Sequence, residues 1–267
     1  MDSIISRLQR LSTFILDLVD KLNAPECYLC GVPHSTVERI CKACQDDLPR
    51  PQPGCQRCGE PWPGPSLCPA CGVSPPPYHH CIAAFDYAFP VREMIHQFKY
   101  QRQEDWSRAL SEAAAPVFRR HFAGQTGILV PMPIHPVRLR QRGFNQAELL
   151  ARELGRYTGW PIRTDLCQRV RHTEKQSRLD ARSRRANLHK AFVCKSTLPS
   201  TPVVIVDDVV TTGSTVAALS QTLIDAGIRD VSVFCLARAN RRTDTHLDLS
   251  SERQLLNERI GKRERGG

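Results

Sequence analysis

Short apolar runs alternate with amphipathic stretches from about residue 80 to residue 240. The apolar runs, which are typical of buried strands, occupy residues 81–89, 128–133, 203–207 and 231–237. Segments with apolar residues at helical spacing lie between them, at residues 91–100, 105–122, 145–159 and 214–228. Because strands that alternate with helices favour parallel pairing, the pattern predicts an α/β fold whose parallel sheet is flanked by helices.

The first 24 residues follow a single helical pattern instead. Apolar side chains recur there at Ile4, Leu8, Leu11, Ile15, Leu18 and Leu22. This spacing predicts an amphipathic helix packed on the protein's own core. A membrane-surface helix is the alternative, although the polar face is not rich in Lys and Arg. No apolar stretch reaches the roughly 18 residues of a membrane span and no signal peptide is recognisable, so we expect a cytoplasmic protein without a transmembrane segment.

Cysteines dominate the next part of the chain. Eight of the 12 cysteines form four CxxC knuckles: Cys27 and Cys30, Cys41 and Cys44, Cys55 and Cys58, and Cys68 and Cys71. The last two knuckles repeat the first two after 28 and 27 residues. Because a tetrahedral Zn²⁺ takes four thiolates, four knuckles predict two structural zinc ions. The repeat favours sequential pairing of the knuckles, interleaved pairing stays open, and redox chemistry is the poorer alternative for so regular a set.

A proline run separates the knuckles from the rest of the chain. Residues 75–77 are all proline, which makes a stiff segment and a natural boundary. We therefore predict an N-terminal helix at 1–24, a double zinc ribbon at 25–75, an α/β domain at 80–240 and a polar, flexible tail at 241–267. The remaining cysteines lie at strand-like positions and are expected in the core: Cys81, Cys167, Cys194 and Cys235.

Composition and charge narrow the range of partners. The chain has 267 residues, of which 41% are hydrophobic and 24% charged, as is ordinary for a soluble globular protein. Its net charge of +10 favours polyanionic partners, either nucleic acid or phosphorylated metabolites, without choosing between them.

The stretch VVIVDDVVTTGST, residues 203–215, carries the candidate chemistry. A buried strand runs into Asp207 and Asp208, and hydroxyl side chains follow around Gly213. These hydroxyls and the backbone N–H groups at the start of the next helix predict an anion cradle. The paired carboxylates suit the vicinal hydroxyls of a sugar, or a metal ion, so the stretch indicates a ribose 5-phosphate site. The alternative is that Asp208 and Thr211 merely cap the helix.

Four motifs resemble a known family. VVIVDDVVTTGST resembles the 5-phosphoribosyl-1-pyrophosphate (PRPP) motif of type I phosphoribosyltransferases. With the four knuckles, PMPIHPVRLRQRGFNQAELLAREL (131–154) and RHTEKQSRLDARSRRAN (171–187) resemble the ComF/GntX family over residues 25–238. That family joins a double zinc ribbon to a type I phosphoribosyltransferase-like domain and is linked to DNA uptake and competence in bacteria. The resemblance implies the same fold here.

The resemblance also implies a site for PRPP, or a related ribosyl phosphate, with Mg²⁺. Catalytic Asp207 and Asp208 would hold the ribose 2- and 3-hydroxyls. The 5-phosphate would lie on Thr211, Thr212, Gly213, Ser214 and Thr215. The pyrophosphate loop would comprise Pro131, Met132, Pro133, Arg138, Arg142, Gly143 and Asn145. A mobile hood over the site would include Arg171, Gln176, Arg182 and Asn187.

The implied function is phosphoribosyl transfer or recognition of ribose 5-phosphate, with the acceptor base left open. Catalysis would come from positioning, from Mg²⁺ on the pyrophosphate and from exclusion of water by the hood. Two interpretations are open for Lys99: a lysine that points toward the site, or an exposed lysine outside it, which is the one that we favour.

Two alternatives to a transferase remain. One is a non-catalytic competence protein that binds single-stranded DNA and has repurposed its PRPP pocket, which the net charge of +10 favours. The other is a regulator that binds PRPP without turnover. DNA-uptake proteins are the protein partners that the family's link implies.

Overall fold

The computed structural model describes residues 25–34, 38–100, 103–171, 191–194 and 200–239. The predicted N-terminal helix, most of the predicted hood and the predicted tail lie outside the described residues. The described residues fall into two compact units, 25–47 and 48–239. The first unit contains the first two CxxC knuckles, and the second contains the other two knuckles together with the sheet.

The helices and strands predicted for the α/β part are all present in the predicted order, together with short elements that were not predicted. The strands are β1 (Cys81–Asp86), β2 (Ile128–Pro131), β3 (Cys167–Arg169), β4 (Phe192–Cys194), β5 (Val203–Val210) and β6 (Val231–Arg238). The helices are α1 (Lys42–Asp46), α2 (Pro69–Val73), α3 (Val91–Tyr100), α4 (Gln103–His121), α5 (Pro136–Arg142), α6 (Gln146–Thr158) and α7 (Ser214–Asp225). Among the described residues, no helix has both the length and the apolar character needed to cross a membrane.

A four-stranded parallel sheet forms the centre of the second unit, in the strand order β1, β6, β5, β2. All eight residues of β6 are buried, as in strands that are covered on both faces. On one face Phe118 of α4 packs edge-on against Phe234, with ring centroids 5.2 Å apart. On the other face Val233 shares a core with Leu219 of α7. The structure thus confirms the predicted parallel sheet flanked by helices.

Strand β5 is longer than predicted. The apolar run indicates an end at Asp207, but pairing with β6 continues to the register pair of Val210 and Arg238. The acidic pair, Asp207 and Asp208, therefore lies inside the strand rather than in the loop after it. Only residues 211–213 separate the strand from α7.

A short antiparallel pair, β3 and β4, was not predicted. Its strands have three residues each, too few for a recognisable apolar alternation. A disulfide joins Cys167 of β3 to Cys194 of β4. The expected core positions are correct for Cys81, Cys167 and Cys235, which are buried, whereas Cys194 is half-buried.

Candidate functional site

The sulfur atoms of the eight knuckle cysteines gather into two sets: Cys27, Cys30, Cys41 and Cys44, and Cys55, Cys58, Cys68 and Cys71. Within each set all four Sγ atoms lie within 4.8 Å of one another. The Sγ atoms of Cys30 and Cys41 are 3.9 Å apart, and those of Cys58 and Cys68 are 3.8 Å apart. A tetrahedron with Zn–S bonds of about 2.3 Å has S···S edges of about 3.8 Å, so both sets fit zinc. The knuckles pair sequentially, as the repeat favours.

The first ribbon (residues 27–44) and the second ribbon (residues 55–71) repeat each other in backbone detail. Cys27 N donates to Val32 O over 3.0 Å, and Cys55 N donates to Glu60 O over 2.8 Å. Each set offers four sulfur ligands to its metal and so leaves no position for water. The two sites are therefore structural.

Backbone hydrogen bonds prepare one thiol in each ribbon for a metal. Burial raises the pKa of Cys55, but N–H donors of Cys58, Cys68 and Arg57 outweigh burial and lower that pKa to about 6. The pKa of Cys27 is lowered to about 7 in the same way. Because the thiolate is the form that binds zinc, each ribbon presents one ligand whose ionisation is favoured near neutral pH.

A separate cavity of about 300 Å³ opens at the carboxyl ends of β2 and β5. Parallel strands bring their carboxyl ends to one edge of a sheet, which is where α/β proteins bind ligands. The cavity is lined by the acidic pair, by all of residues 211–215 and by Met132, Pro133, Arg138, Arg142 and Asn145. Two predicted members of the pyrophosphate loop do not line it: Pro131 ends β2, and Gly143 is the left-handed C-cap of α5.

The acidic pair is held by its own backbone and by a lysine. Asp207 Oδ1 accepts the N–H of Asp208 over 2.9 Å, and Asp208 Oδ1 accepts the N–H of Val209 over 2.7 Å. Lys99 Nζ, at the end of α3, lies 2.8 Å from Asp208 Oδ2. The expectation that Lys99 is an exposed lysine outside the site is therefore wrong, because its side chain is only 20% exposed and reaches into the cavity.

Asp207 has an altered protonation equilibrium. Burial and the adjacent carboxylate of Asp208 raise its pKa well above the ordinary value for an aspartate, while Lys99 partly opposes that rise. Both causes penalise the charged form. A perturbed carboxyl in a cavity is typical of functional sites.

The phosphate loop, Thr211–Thr215, brings hydroxyl groups and backbone N–H groups to the cavity. Gly213 is the N-cap of α7 in a left-handed conformation, and no side chain caps this helix. The alternative that Asp208 or Thr211 serves as a helix cap is therefore wrong. Thr212 Oγ1 and Ser214 Oγ lie 3.0 Å apart, so two hydroxyls converge on the helix N-terminus.

The opposite wall comes from the segment between β2 and α6. Asn145 caps α6 by accepting the N–H of Ala147 over 3.2 Å, and its Nδ2 donates to Met132 O over 3.1 Å. Gln146 is 3% exposed, and its Oε1 accepts from Arg142 Nη1 over 3.2 Å. Its Nε2 has no hydrogen-bond partner among the described residues. A buried donor that lines a cavity without a partner indicates a ligand acceptor.

Cationic side chains surround this wall. Arg138, Arg142 and Arg169 line the cavity with Lys99. Burial lowers the pKa of Arg169, Arg138 lowers it further through like-charge repulsion, and Asp207 opposes both. Three charged groups from β3, α5 and β5 are thus close enough to affect one another.

The predicted hood is described only at its start. Arg171 is exposed, and Gln176, Arg182 and Asn187 lie outside the described residues. Sequence reasoning favoured the wrong interpretation for Lys99, and it assigned Arg169 only to the basic residues of the hood, whereas both line the cavity. The signal for Arg169 was available, because it lies next to the basic stretch, whereas no local pattern distinguishes Lys99 from a surface lysine.

The chain resembles known proteins both in its N-terminal zinc ribbons and over most of its length. The family model of the double zinc ribbon domain matches residues 18–72. The chain is 36% identical over 222 residues to DNA utilization protein YhgH of Salmonella typhimurium, covering 79% of this chain and 96% of the relative. It is 33% identical over 222 residues to competence protein F of Haemophilus influenzae, covering 80% and 96%.

One solved structure with a similar arrangement is the glutamine PRPP amidotransferase of B. subtilis. It is 15% identical with a TM-score of 0.38, and the match covers 63% of this chain and 38% of the other.

A double zinc ribbon joined to an α/β domain with a parallel sheet is the class of protein that these elements define. The identity to the curated relatives extends over most of both chains. The chain belongs to the ComF/GntX family, the family that its motifs resemble.

Proposed function

We propose that this protein binds PRPP with Mg²⁺ in the cavity at the carboxyl edge of the sheet and transfers or recognises its ribose 5-phosphate. One observation carries the proposal. The acidic pair, the phosphate loop and three arginines line the same cavity of about 300 Å³. A cavity of that size accommodates a small ligand.

The phosphate loop and the acidic pair would bind different parts of the sugar phosphate. The 5-phosphate would lie on the N-terminus of α7, where Thr212 and Ser214 present hydroxyl groups and the helix dipole favours an anion. Asp207 and Asp208 would then face the ribose hydroxyls. An aspartic acid with a raised pKa can donate as well as accept a hydrogen bond, which suits a hydroxyl ligand.

The pyrophosphate would face the segment between β2 and α6. Arg138, Arg142 and Arg169 supply positive charge there, and Gln146 supplies a buried amide donor. Arg142 fixes the orientation of this amide through Gln146 Oε1. Preorganised donors of this kind stabilise charge that develops on a leaving group.

In the reaction, an acceptor nitrogen would form a bond to C1 of the ribose while the bond from C1 to the pyrophosphate oxygen breaks. The electron pair leaves with pyrophosphate, and the acceptor loses its proton. Mg²⁺ bound with the pyrophosphate would neutralise part of its charge. The chain's own groups then bind the two ends of the substrate, align C1 and balance the departing charge.

The names of the relatives support a role in DNA handling. DNA utilization protein and competence protein F are names given to those proteins. On the basis of these names we propose that the present chain acts in DNA uptake during natural transformation and that its partners are DNA-uptake proteins.

Calorimetric titration of the zinc-loaded full chain with PRPP and Mg²⁺ tests the pocket. We expect binding in the native protein and its loss in an Asp207→Asn/Asp208→Asn variant. Asp225→Asn, which removes an exposed carboxylate of α7, is the matched control and should bind normally. Absence of binding in the native protein would overturn the proposal.

A second candidate function is binding of single-stranded DNA. A cleft of about 1530 Å³ lies at the other edge of the sheet, and its lining includes one carboxylate, Asp230, beside five side chains with a guanidinium or imidazole group: Arg50, His79, His80, Arg120 and His121. Phosphate contacts by such groups give salt-dependent affinity. Anisotropy of a labelled oligothymidine should report this binding.

The two functions separate by mutation. Arg50→Gln/Arg120→Gln should abolish oligonucleotide binding. Arg152→Gln/Arg156→Gln, at two exposed positions of α6, should not. Binding that disappears in the Asp207→Asn/Asp208→Asn variant would instead assign the oligonucleotide to the PRPP cavity.

A further inference from the structure

Arg238, the last residue of β6, connects two parts of the second unit that are distant in sequence. Its side chain is 3% exposed. Nη1 donates to the carbonyl oxygen of Thr211 over 3.0 Å, and Nη2 donates to Glu60 Oε2 over 2.8 Å. Nε has no partner among the described residues. The guanidinium group therefore holds the first residue of the phosphate loop with one arm and Glu60 with the other.

Glu60 belongs to the second ribbon. It follows Cys58 by two residues, and its carbonyl oxygen accepts the N–H of Cys55 over 2.8 Å. Gly59 beside it has φ +68°, and a Cβ there would stand 2.5 Å from the carbonyl oxygen of Cys81. The knuckle thus lies against the first residue of β1 with no room for a side chain. The position of Glu60 is set by the same turn that presents two sulfur ligands.

A second connection starts from Arg57, inside the same knuckle. Its Nε and Nη2 donate to the carbonyl oxygen of Pro76 over 3.2 and 3.0 Å. Tyr78, two residues further on, is 1% exposed. Its hydroxyl oxygen lies 3.2 Å from the point where a Cβ on Gly213 would stand. The second ribbon therefore reaches the phosphate loop by a second route, through Arg57 and the segment that carries Pro76 and Tyr78, in addition to the route through Arg238.

The first ribbon lacks both connecting side chains. At the 28-residue offset, Leu29 corresponds to Arg57 and Val32 corresponds to Glu60. Val32 is 48% exposed and can form no ion pair. Although the two ribbons share their metal ligands and turn geometry, only the second carries the polar pair that reaches toward the loop.

We propose that Glu60 and Arg238 are positioning residues through which the second ribbon fixes the phosphate loop, so that metal at Cys55, Cys58, Cys68 and Cys71 governs ligand affinity at a site it does not touch. Cys55, Cys58, Cys68 and Cys71 would hold the zinc ion that fixes the knuckle. The knuckle places Glu60, and Glu60 holds the guanidinium that donates to the carbonyl oxygen of Thr211. This inference deepens the proposed function and depends on it only for the identity of the ligand.

Hydrogen–deuterium exchange tests the connection without any ligand. The zinc-loaded full chain, its Glu60→Gln variant and its Glu148→Gln variant are compared over residues 209–217. Glu148→Gln breaks an exposed ion pair with Arg152 and is the control. We expect roughly tenfold faster exchange at the loop in Glu60→Gln only, with unchanged zinc content and unchanged exchange in β2. Loop exchange equal to that of the control would overturn the proposal.

Ligand affinity provides the second readout. Removing a side chain that orients the ligands of a metal site typically weakens binding or activity by roughly 10- to 100-fold, and we expect a comparable loss of affinity for PRPP with Mg²⁺ in Glu60→Gln and in Arg57→Leu. Both variants should keep their zinc. Glu60→Gln should lower the thermal midpoint, because it leaves the buried Arg238 guanidinium without its counter-charge, so the affinities are compared well below that midpoint. An affinity equal to that of the native protein, beside intact zinc, would also overturn the proposal.

The two proposals fail separately. If native protein does not bind PRPP, the proposed function fails while the exchange experiment still decides the connection. If native protein binds PRPP and Glu60→Gln binds it equally well, only the connection fails. Arg238→Lys, which keeps the charge but loses the second arm, should fall between native protein and Glu60→Gln in loop exchange.

Discussion

Lys99 Nζ and Asp208 Oδ2 lie 2.8 Å apart, joining the end of α3 to the strand that carries the acidic pair. The two side chains are 20% and 17% exposed, so water screens this ion pair little. Asp207 and Asp208 would otherwise repel each other at adjacent positions of one strand. The lysine therefore makes the acidic pair compatible with a folded, ligand-free cavity.

Replacing this lysine should destabilise the protein. Lys99→Met leaves the Asp208 carboxylate without its cation, and loss of one partner of a partly buried charged hydrogen bond costs about 1–3 kcal/mol. Urea denaturation measures the change in the free energy of unfolding. Arg152→Met, at an exposed ion pair on α6, should cost at most about 1 kcal/mol. Equal effects of the two substitutions would contradict the structural role of Lys99.

The raised pKa of Asp207 predicts a pH dependence of stability. Burial and Asp208 make the folded protein bind the Asp207 proton more tightly than the unfolded chain does. Stability from this group is therefore highest below the unfolded pKa of about 4 and is lost as pH rises toward the folded pKa. Asp207→Asn removes that loss.

We accordingly expect Asp207→Asn to be more stable than native protein at pH 8, with the difference shrinking toward pH 4.5. Urea midpoints across this range provide the measurement, and Asp225→Asn controls for removal of a carboxylate. A variant that is less stable than native protein at pH 8 would show that Asp207 is stabilised as the anion.

Gln146 should contribute more to PRPP affinity than to the stability of the fold. Its buried Nε2 lacks a partner, so Gln146→Met removes an unsatisfied donor at nearly constant volume. We expect stability within about 1 kcal/mol of native protein and a PRPP affinity roughly tenfold lower. Calorimetry measures the PRPP affinity and urea denaturation measures the free energy of unfolding. Gln221→Met, at an exposed position of α7, is the control. A large loss of stability with unchanged affinity would assign Gln146 a purely structural role.

Substitutions at two glycines distinguish the cost of a left-handed backbone from the cost of a close side-chain contact. Gly124 and Gly213 have φ of +71° and +76°, but only Gly213 has a neighbouring atom near its missing Cβ, the Tyr78 hydroxyl at 3.2 Å. Gly124→Ala should cost about 1–2 kcal/mol from the left-handed backbone alone. Gly213→Ala should cost more and also weaken PRPP binding. Equal costs with intact binding would mean that the phosphate loop tolerates a shift.

Zinc removal should act on the ribbons first. Cys55→Ser/Cys58→Ser should lower the zinc content from two ions per chain to one, and so should Cys27→Ser/Cys30→Ser, because the ligands form two separate sets. Strong chelators should unfold or aggregate the ribbons, since structural zinc supplies about 10–16 kcal/mol of apparent binding energy in zinc-finger peptides. Atomic absorption and circular dichroism follow both effects. Loss of both ions in either variant would contradict independent sites.

Local patterns were sufficient for most of the fold. The helix predicted at 145–159 is found at Gln146–Thr158, with Asn145 as N-cap and Gly159 as left-handed C-cap, because its start and stop signals are adjacent in sequence. The same holds for Val91–Tyr100, predicted with both ends correct. The end of β5 was missed because it is set by the neighbouring strand, through the pairing of Val210 with Arg238.

The candidate site divides along the same line. Its acidic pair and hydroxyl loop are contiguous and were recognised from one motif. Lys99 could not be placed, because only the packing of α3 brings it to Asp208. The contact of Glu60 with Arg238 spans 178 positions of sequence, and no spacing rule extends that far.

The antiparallel pair at the foot of the predicted hood has a practical consequence. Val170 N donates to the carbonyl oxygen of Ala191 over 2.9 Å, and Arg169 lies over the ring of Phe192 at 5.5 Å. The chain therefore departs and returns at neighbouring points beside the cavity. A segment grafted between Arg171 and Ala191 therefore begins and ends at two points that a backbone hydrogen bond already holds together, and its closure entropy rises only slowly with its length. We expect such a replacement to leave the parallel sheet and its acidic pair unchanged.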